Sequence, residues 1–377
     1  MFTAGVVWMW LWGAGILLYT GLLFYLATRN AAARQRQQSW NLPPVLPKIT
    51  IVIAFRNEGA HILKLATQLS QLQYSGSVEV LWVNDHSEDA GPTLLTELMA
   101  KSPADFQILN LPDGLSGKKA AIAMGVAHAS GEFLAFTDAD CEVPSHWLSD
   151  LVAVQTNLDS EMVCGQVYIR PQSFFQHAEA VEFASLIAVA AAGIHIQRPA
   201  LSNGANLLVN KKAWLEAQQE RFDLNLASGD DVFLLHQFHK SGKKIGFCAA
   251  YGSGVTTLAH SSWKAFQNQR IRWAGKWKSQ IPGANGGLAM LVWIFHLGYL
   301  AGFGLCISGG WYGLAAGIYV ARSTAEAAFI RPFLLKRNLT HSILIGLMQI
   351  PYSIYVVYMG LCIGLAPAYV WKGRKYE

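Results

Sequence analysis

The sequence predicts an α/β domain on a mainly parallel sheet, set between membrane-spanning helices. Three observations predict it. Short apolar runs alternate with helical patterns from Lys48 to about residue 156. Uncharged stretches long enough to cross a bilayer lie before and after that region. Acidic residues are confined to the middle: 22 of the 24 fall between Glu58 and Asp231.

The 377 residues are 52% hydrophobic and only 14% charged, against about 25% charged in an average soluble domain. That excludes both an ordinary soluble enzyme and a disordered chain. The net charge of +5 hides a strong asymmetry. Residues 1–57 carry +5, residues 58–231 carry −13 and residues 232–377 carry +13. The five cysteines are scattered, without CxxC or Cys/His spacing, so they read as reduced thiols rather than a disulfide or zinc framework.

Gly5–Ala27 is 23 residues without charge, long enough for about 30 Å of hydrocarbon. It is assigned to an N-terminal span, residues 1–28. Arg29, Arg34 and Arg36 follow it and place that side in the cytoplasm. Residues 29–47 read as a linker. Strands are expected at Ile49–Ala54, Val78–Val83, Phe106–Leu109 and Glu132–Phe136, and helices over 59–73, 91–101, 118–129 and 145–156. That alternation implies right-handed crossovers and a parallel sheet, within a domain of residues 48–260.

Residues 261–287 form a basic, Trp-rich amphipathic segment. Eight Lys or Arg and no acid lie between Lys240 and Lys278, with Trp263, Trp273 and Trp277 among them. This fits a helix on an anionic membrane surface and argues against a nucleic-acid partner, because membrane spans adjoin it and the α/β domain is acidic. Residues 288–377 hold about three further spans and a basic tail. The 43 residues between Lys278 and Arg322 are uncharged and divide near Ser308–Gly310, and Asn338–Trp371 reads as one span kinked at Pro351. Four spans would put Lys372, Arg374 and Lys375 outside, against the positive-inside rule. Arg322 and Glu326, at i,i+4, are expected to pair and snorkel. Phe183–Ile196, 14 apolar residues, is too short to span and reads as a buried or interfacial helix.

Each expected strand ends in a polar cluster: Arg56-Asn57-Glu58, Asn84-Asp85-His86-Ser87, Gly114 to Lys119, and Asp138-Ala139-Asp140. In a parallel sheet all four reach the carboxyl edge, where ligands bind. Asp138 and Asp140 could hold Mg2+ or Mn2+, which take one or two carboxylates plus substrate phosphates; the alternative is a turn with a helix cap. Lys118 opens a helix after glycines, a natural phosphate site, but the stretch fails the P-loop spacing. Asp230 and Asp231 open another helical pattern. They are either caps or a carboxylate pair containing a general base.

FRNE, NDHS, DAD, GDD and Gln269-x-x-Arg272-Trp273, in this order, resemble the membrane-integrated family 2 glycosyltransferases, which include cellulose, chitin and hyaluronan synthases and ceramide glucosyltransferase. The resemblance covers residues 48–280. It implies a GT-A fold and inverting transfer from a nucleotide sugar, usually a UDP-sugar, to a lipid or glycan acceptor. Carried over, Arg56, Glu58, Asp85, Lys118 and Asp138 contact the donor, and Asp140 with Asp138 holds the metal. Asp231 is the base and Asp230 its partner. Gln269, Arg272 and Trp273 close over the diphosphate, with Trp273, Gly204 and Asn206 at the acceptor. Asp230 stands where the family usually has Glu. An integral protein of a bacterial inner membrane is implied, its catalytic domain cytoplasmic. The alternative is a processive polysaccharide synthase that exports its product, for which four spans are few.

Overall fold

The computed structural model describes residues 2–100, 105–219, 230–250, 252–280, 284–335, 339–365, 369–371 and 374–376. The chain divides into two compact units. One contains Met1–Arg29, Pro171–Ala188 and Ala259–Glu377; the other contains Asn30–Arg170 and Val189–Leu258.

Helix α1 (Phe2–Gln37) begins in the first unit and ends in the second. Its last turns are not a linker. Gln37 donates from Nε2 to Phe247 O (2.7 Å) and accepts from Ala249 N (2.8 Å), and Arg34 Nε donates to Ala249 O (2.8 Å). The expected linker therefore starts only after residue 37, where helical periodicity gives way to turns.

The sheet-bearing unit continues with β1 (Ile49–Phe55), α2 (Gly59–Ser70), β2 (Val78–Asn84), α3 (Gly91–Met99), β3 (Asp105–Asn110), α4 (Lys118–His128), β4 (Phe133–Phe136), α5 (Trp147–Leu158), β5 (Met162–Gly165) and β6 (Val167–Arg170). After α6 (Phe174–His195), whose residues to Ala188 belong to the first unit and the rest to the second, come β7 (Leu207–Asn210), α7 (Lys211–Gln219), α8 (Asp230–Lys240), β8 (Ile245–Cys248) and β9 (Val255–Leu258). Seven strands form one sheet in the order β3-β2-β1-β4-β7-β5-β8. All neighbours are parallel except β7, which is antiparallel to β4 and β5. β6 and β9 pair separately, in parallel.

The strand sequences explain this order. Nearly every residue of β1 and β4 is buried, as expected for central strands covered on both faces. β3 is largely exposed and lies at the edge. Gly125 lets α4 approach β1 closely, since a Cβ there would sit 2.5 Å from Val52 Cγ1. At the start of β1 and β2, Glu79 accepts from Thr50 Oγ1 and Ser130 N, and Gly131 N donates to Thr50 Oγ1. This buried polar knot ties β1, β2 and the entry to β4 together.

The other unit contains α9 (Trp263–Gln280), α10 (Ala284–Ser308), α11 (Tyr312–Ile330), α12 (Leu339–Leu347), α13 (Gln349–Leu365) and a hairpin of β10 (Tyr369–Trp371) and β11 (Arg374–Tyr376). The break between α10 and α11 falls where expected, with Gly310 at φ 77°. Among the described residues, Phe174–His195 and Ala289–Ser308 are long and apolar enough to cross a membrane. Thr340–Leu347 with Gln349–Cys362, bent by 57°, makes a third candidate. The bend lies before Pro351 rather than at it, because the proline ring opposes the carbonyl four residues back and ends α12. α6 is eight residues longer than its uncharged apolar run, so it reaches spanning length despite Glu179 and Glu182. α11 is not among the three. Its Arg322 does not snorkel: it is fully buried, paired to Glu326 (2.8 Å), and its guanidinium lies 4.0 Å from the Tyr299 ring. The N-terminal span expected on 1–28 falls on α1; Met1 and the side chains of residues 2–9 lie outside the described residues. Lys372 likewise lies outside them, and so do the side chains of Arg374 and Lys375.

Candidate active site

β2 and β3 lie on one side of β1, and β4 on the other. The crevice at the carboxyl ends of β1 and β4 is therefore the topological switch point of the sheet, where α/β folds bind ligands. The loops around it are held rigidly. Asn57 (φ 55°) and His86 (φ 54°) adopt left-handed backbone, which costs a non-glycine residue about 1 kcal/mol or more. Asn57 Oδ1 accepts from Glu88 N (2.8 Å), and Asn57 N donates to Ser87 Oγ (3.1 Å), which joins the loops after β1 and β2. Asp85, 5% exposed, accepts Gly117 N at Oδ2 (3.0 Å), and His86 Nε2 lies 3.0 Å from Leu115 O. Asp85 thus shapes the turn before α4. That turn needs Gly117, whose φ is 97°.

Lys118, the first residue of α4, donates its ammonium to Asp138. Burial alone would lower the Lys118 pKa; Asp138, with Asp231 and Asp140 adding, outweighs burial and holds it above the usual lysine value. Asp140 is shifted upward by burial, then by Asp138 and Glu58, with Lys118 opposing. Glu58, Lys118, Asp138, Asp140 and Asp231 therefore form one electrostatic cluster. Neither aspartate of the pair caps α5, whose cap is His146. Arg56 is half-buried at the end of β1.

Asp231 lies in the first turn of α8 without capping it. Its Oδ2 accepts Gly204 N (2.8 Å), and Oδ1 has no hydrogen bond among the described residues. Gly204 lies against it: a Cβ there would come within 3.6 Å of Asp231 Cβ. Asp230 opens α8 and its side chain lies outside the described residues, as do Ser228 and Gly229. Asn206 corrects an expectation. It is 1% exposed, accepts Trp147 Nε1 (2.9 Å) and donates to Gln166 O (2.8 Å). Both amide atoms serve the core, so Asn206 supports the Gly204 loop rather than facing an acceptor. Burial pushes the Cys164 thiol, near Asp231, up to about 12, so it stays protonated.

Gln269, Arg272 and Trp273 are on α9, in the other unit. Sequence reading missed their neighbour Arg270. It is 5% exposed, forks onto Glu182 of α6 and also donates to Gln269 Oε1. Glu182 is 88 residues away in sequence; local spacing gives no sign of that pair.

A divalent cation fits the Asp pair. Among the described residues no three His, Cys, Asp or Glu side chains gather into a metal cage. Mg2+-type sites need only one or two carboxylates when phosphates supply the rest, and carboxylates as crowded as Asp138, Asp140 and Glu58 are relieved by a cation.

Comparison with known proteins defines the class. The profile of "Glycosyl transferase family group 2" matches residues 133–371 and that of "Glycosyl transferase family 2" matches residues 50–202. The chain belongs to the glycosyl transferase family 2 group. Among individual relatives, it is 34% identical over 144 residues to the beta-monoglucosyldiacylglycerol synthase of Trichormus variabilis, which is 37% of this chain and 31% of that protein. It is 30% identical over 155 residues to the enzyme of the same name from Synechocystis sp., 38% and 31% of the two chains. The matched part thus spans about a third of the curated relatives. The fold is that of a mannosyltransferase from Pyrobaculum calidifontis solved with GDP-Man and Mn2+, at TM-score 0.54 and 16% identity, over 94% of this chain and 99% of that one. This likeness establishes a GT-A-type fold.

Proposed function

We propose that the protein is a metal-dependent, inverting glycosyltransferase. It moves a sugar from a nucleotide-sugar donor, a UDP-sugar, to a lipid acceptor at the cytoplasmic face of a membrane. One observation carries this reading: Lys118, Asp138, Asp140, Glu58 and Asp231, from four separate stretches of sequence, interact in one cluster in the sheet-bearing unit. Two of those stretches follow β1 and β4 at the switch point, and a third opens α4 after β3. The relatives that act on diacylglycerol by name support the lipid acceptor.

In this reading Arg56, Glu58 and Asp85 line the nucleoside side of the crevice. Asp138 and Asp140 hold Mg2+ or Mn2+, which supplies Lewis-acid neutralisation of the diphosphate. Lys118, at the positive end of α4, faces the phosphates, and its pairing with Asp138 keeps it protonated and aimed. Asp231 Oδ1 takes the acceptor hydroxyl proton as that oxygen attacks the anomeric carbon opposite the leaving diphosphate. The Gly204 bond to Oδ2 fixes the carboxylate's rotation, so the syn lone pairs of Oδ1 are presented in one direction. Asp230 is assigned as its partner. Gln269, Arg272 and Trp273 are assigned to the diphosphate and acceptor on their motif alone.

The test is a donor screen. Purified full-length protein in lipid nanodiscs, given UDP-, GDP- and dTDP-sugars with Mg2+ or Mn2+ and a lipid extract, should release nucleotide with one donor and require the metal. No release with any donor would overturn the proposal.

A further inference from the structure

The turn that carries Asp138 and Asp140 is fixed at both ends. At its start Lys118 donates to Asp138, and Cys141 N closes the turn onto Asp138 O (3.0 Å). Its exit is held at Glu142 and Val143. Glu142 exchanges both backbone hydrogen bonds with Thr256 of β9, each 2.8 Å. Its carboxylate is forked by Arg170, the last residue of β6, which binds Oε1 and reaches Oε2 at 2.7 Å. Lys64 Nζ of α2 also donates to Oε1 (2.6 Å). Val143 N donates to Gln68 Oε1 (3.1 Å), and Gln68 lies one turn after Lys64 on α2.

These contacts close a frame around the Asp pair, because Glu58 of the cluster immediately precedes α2. The Lys64 and Arg170 side chains are 57% and 39% exposed, and ion pairs that open contribute only about 0–1 kcal/mol each to stability. Their leverage on a metal site is larger, since residues that orient metal ligands set affinity by about 10- to 100-fold. Glu142 is itself a carboxylate two residues from Asp140, chemically able to join a hard cation's oxygen ligands. With both of its oxygens committed to cations, it is kept out of that set.

We infer that Glu142, gripped by Arg170 and Lys64, is a positioning residue: it fixes the turn so that Asp138 and Asp140 present a preformed site to a divalent cation. The inference rests on the metal-dependent reading above and adds to it residues that do not touch the metal.

Mn2+ binding to the full chain in nanodiscs is measured by calorimetry with UDP present and no acceptor, alongside UDP binding without metal and Tm. Arg170→Met should weaken Mn2+ binding about tenfold while metal-free UDP binding stays unchanged. Glu142→Gln should do the same, and the double variant should be no worse than Glu142→Gln alone, because both changes remove one contact. A lowered Tm with unchanged Mn2+ affinity, or losses that add in the double variant, overturns the inference and leaves the metal-dependent reading standing. Should Arg170→Met not fold, Lys64→Met at its exposed position carries the test: Mn2+ binding about threefold weaker is expected, and unchanged binding overturns the inference. Wild-type protein that binds no Mn2+ overturns the metal-dependent reading itself, and the inference with it.

Discussion

Replacing Asp231 by Asn separates chemistry from binding. The amide oxygen of Asn can still accept Gly204 N, so the 2.8 Å contact that orients the side chain survives. What is lost is the proton acceptor. Removing a general base costs about 10²- to 10⁴-fold in rate, or about 3–5.5 kcal/mol of barrier at about 1.36 kcal/mol per decade. The substitution also removes one of the negative charges acting on Lys118, so a diphosphate should bind as tightly or slightly more tightly. The assay pairs nucleotide release under saturating donor with donor binding by calorimetry. The expected result is a kcat lowered at least a hundredfold with donor Kd unchanged or reduced. Wild-type turnover, or a rate loss matched by an equal loss of donor affinity, would refute the assignment of Asp231 as base.

Lys118→Met should raise the donor KM and lower kcat, because both the ammonium facing the diphosphate and the partner of Asp138 disappear; steady-state kinetics in donor concentration check this. Asn206→Ala should lower stability by about 2–4 kcal/mol, since it strands the fully buried Trp147 Nε1 and leaves a void, and it should lower Tm without changing metal dependence. Acid should destabilise the sheet-bearing unit through Glu79 and Glu142. Burial alone would raise both carboxyls, but hydrogen bonds from Ser130 and Thr50 to Glu79, and from Arg170 and Lys64 to Glu142, hold them below the usual 4.5. Their stabilisation is fully present above pH 4.5 and is lost as pH falls through the lowered values; thermal melts from pH 7 to 3 should show it, and Glu142→Gln should flatten that dependence.

The first half of the sheet was readable because β1, β2 and β4 are predominantly apolar runs between helical periods, interrupted only by Thr50 in β1 and Glu79 and Asn84 in β2, and because polar residues follow each of them. That convergence also exposed the cluster at the switch point. The later strands are four residues long, too short for periodicity to distinguish from loop or helix, so the antiparallel insertion of β7 came only from the structure. Asn206 was misplaced for a related reason. Sequence shows a polar residue beside a glycine, but not the indole of Trp147, 59 residues away, that claims it. Arg270 with Glu182 and Arg322 among its aromatic neighbours show the same limit: buried charge is legible only once its partner is in place.

The central claim is that this cluster transfers a sugar to lipid with inversion. The most direct measurement is the anomeric configuration and size of the product made from an α-linked UDP-sugar by purified protein in nanodiscs, read by mass spectrometry and NMR of the lipid fraction. The account predicts one β-linked sugar per lipid molecule, formed only with divalent metal. An α-linked product, a long polysaccharide, or sugar absent from the lipid fraction would contradict it.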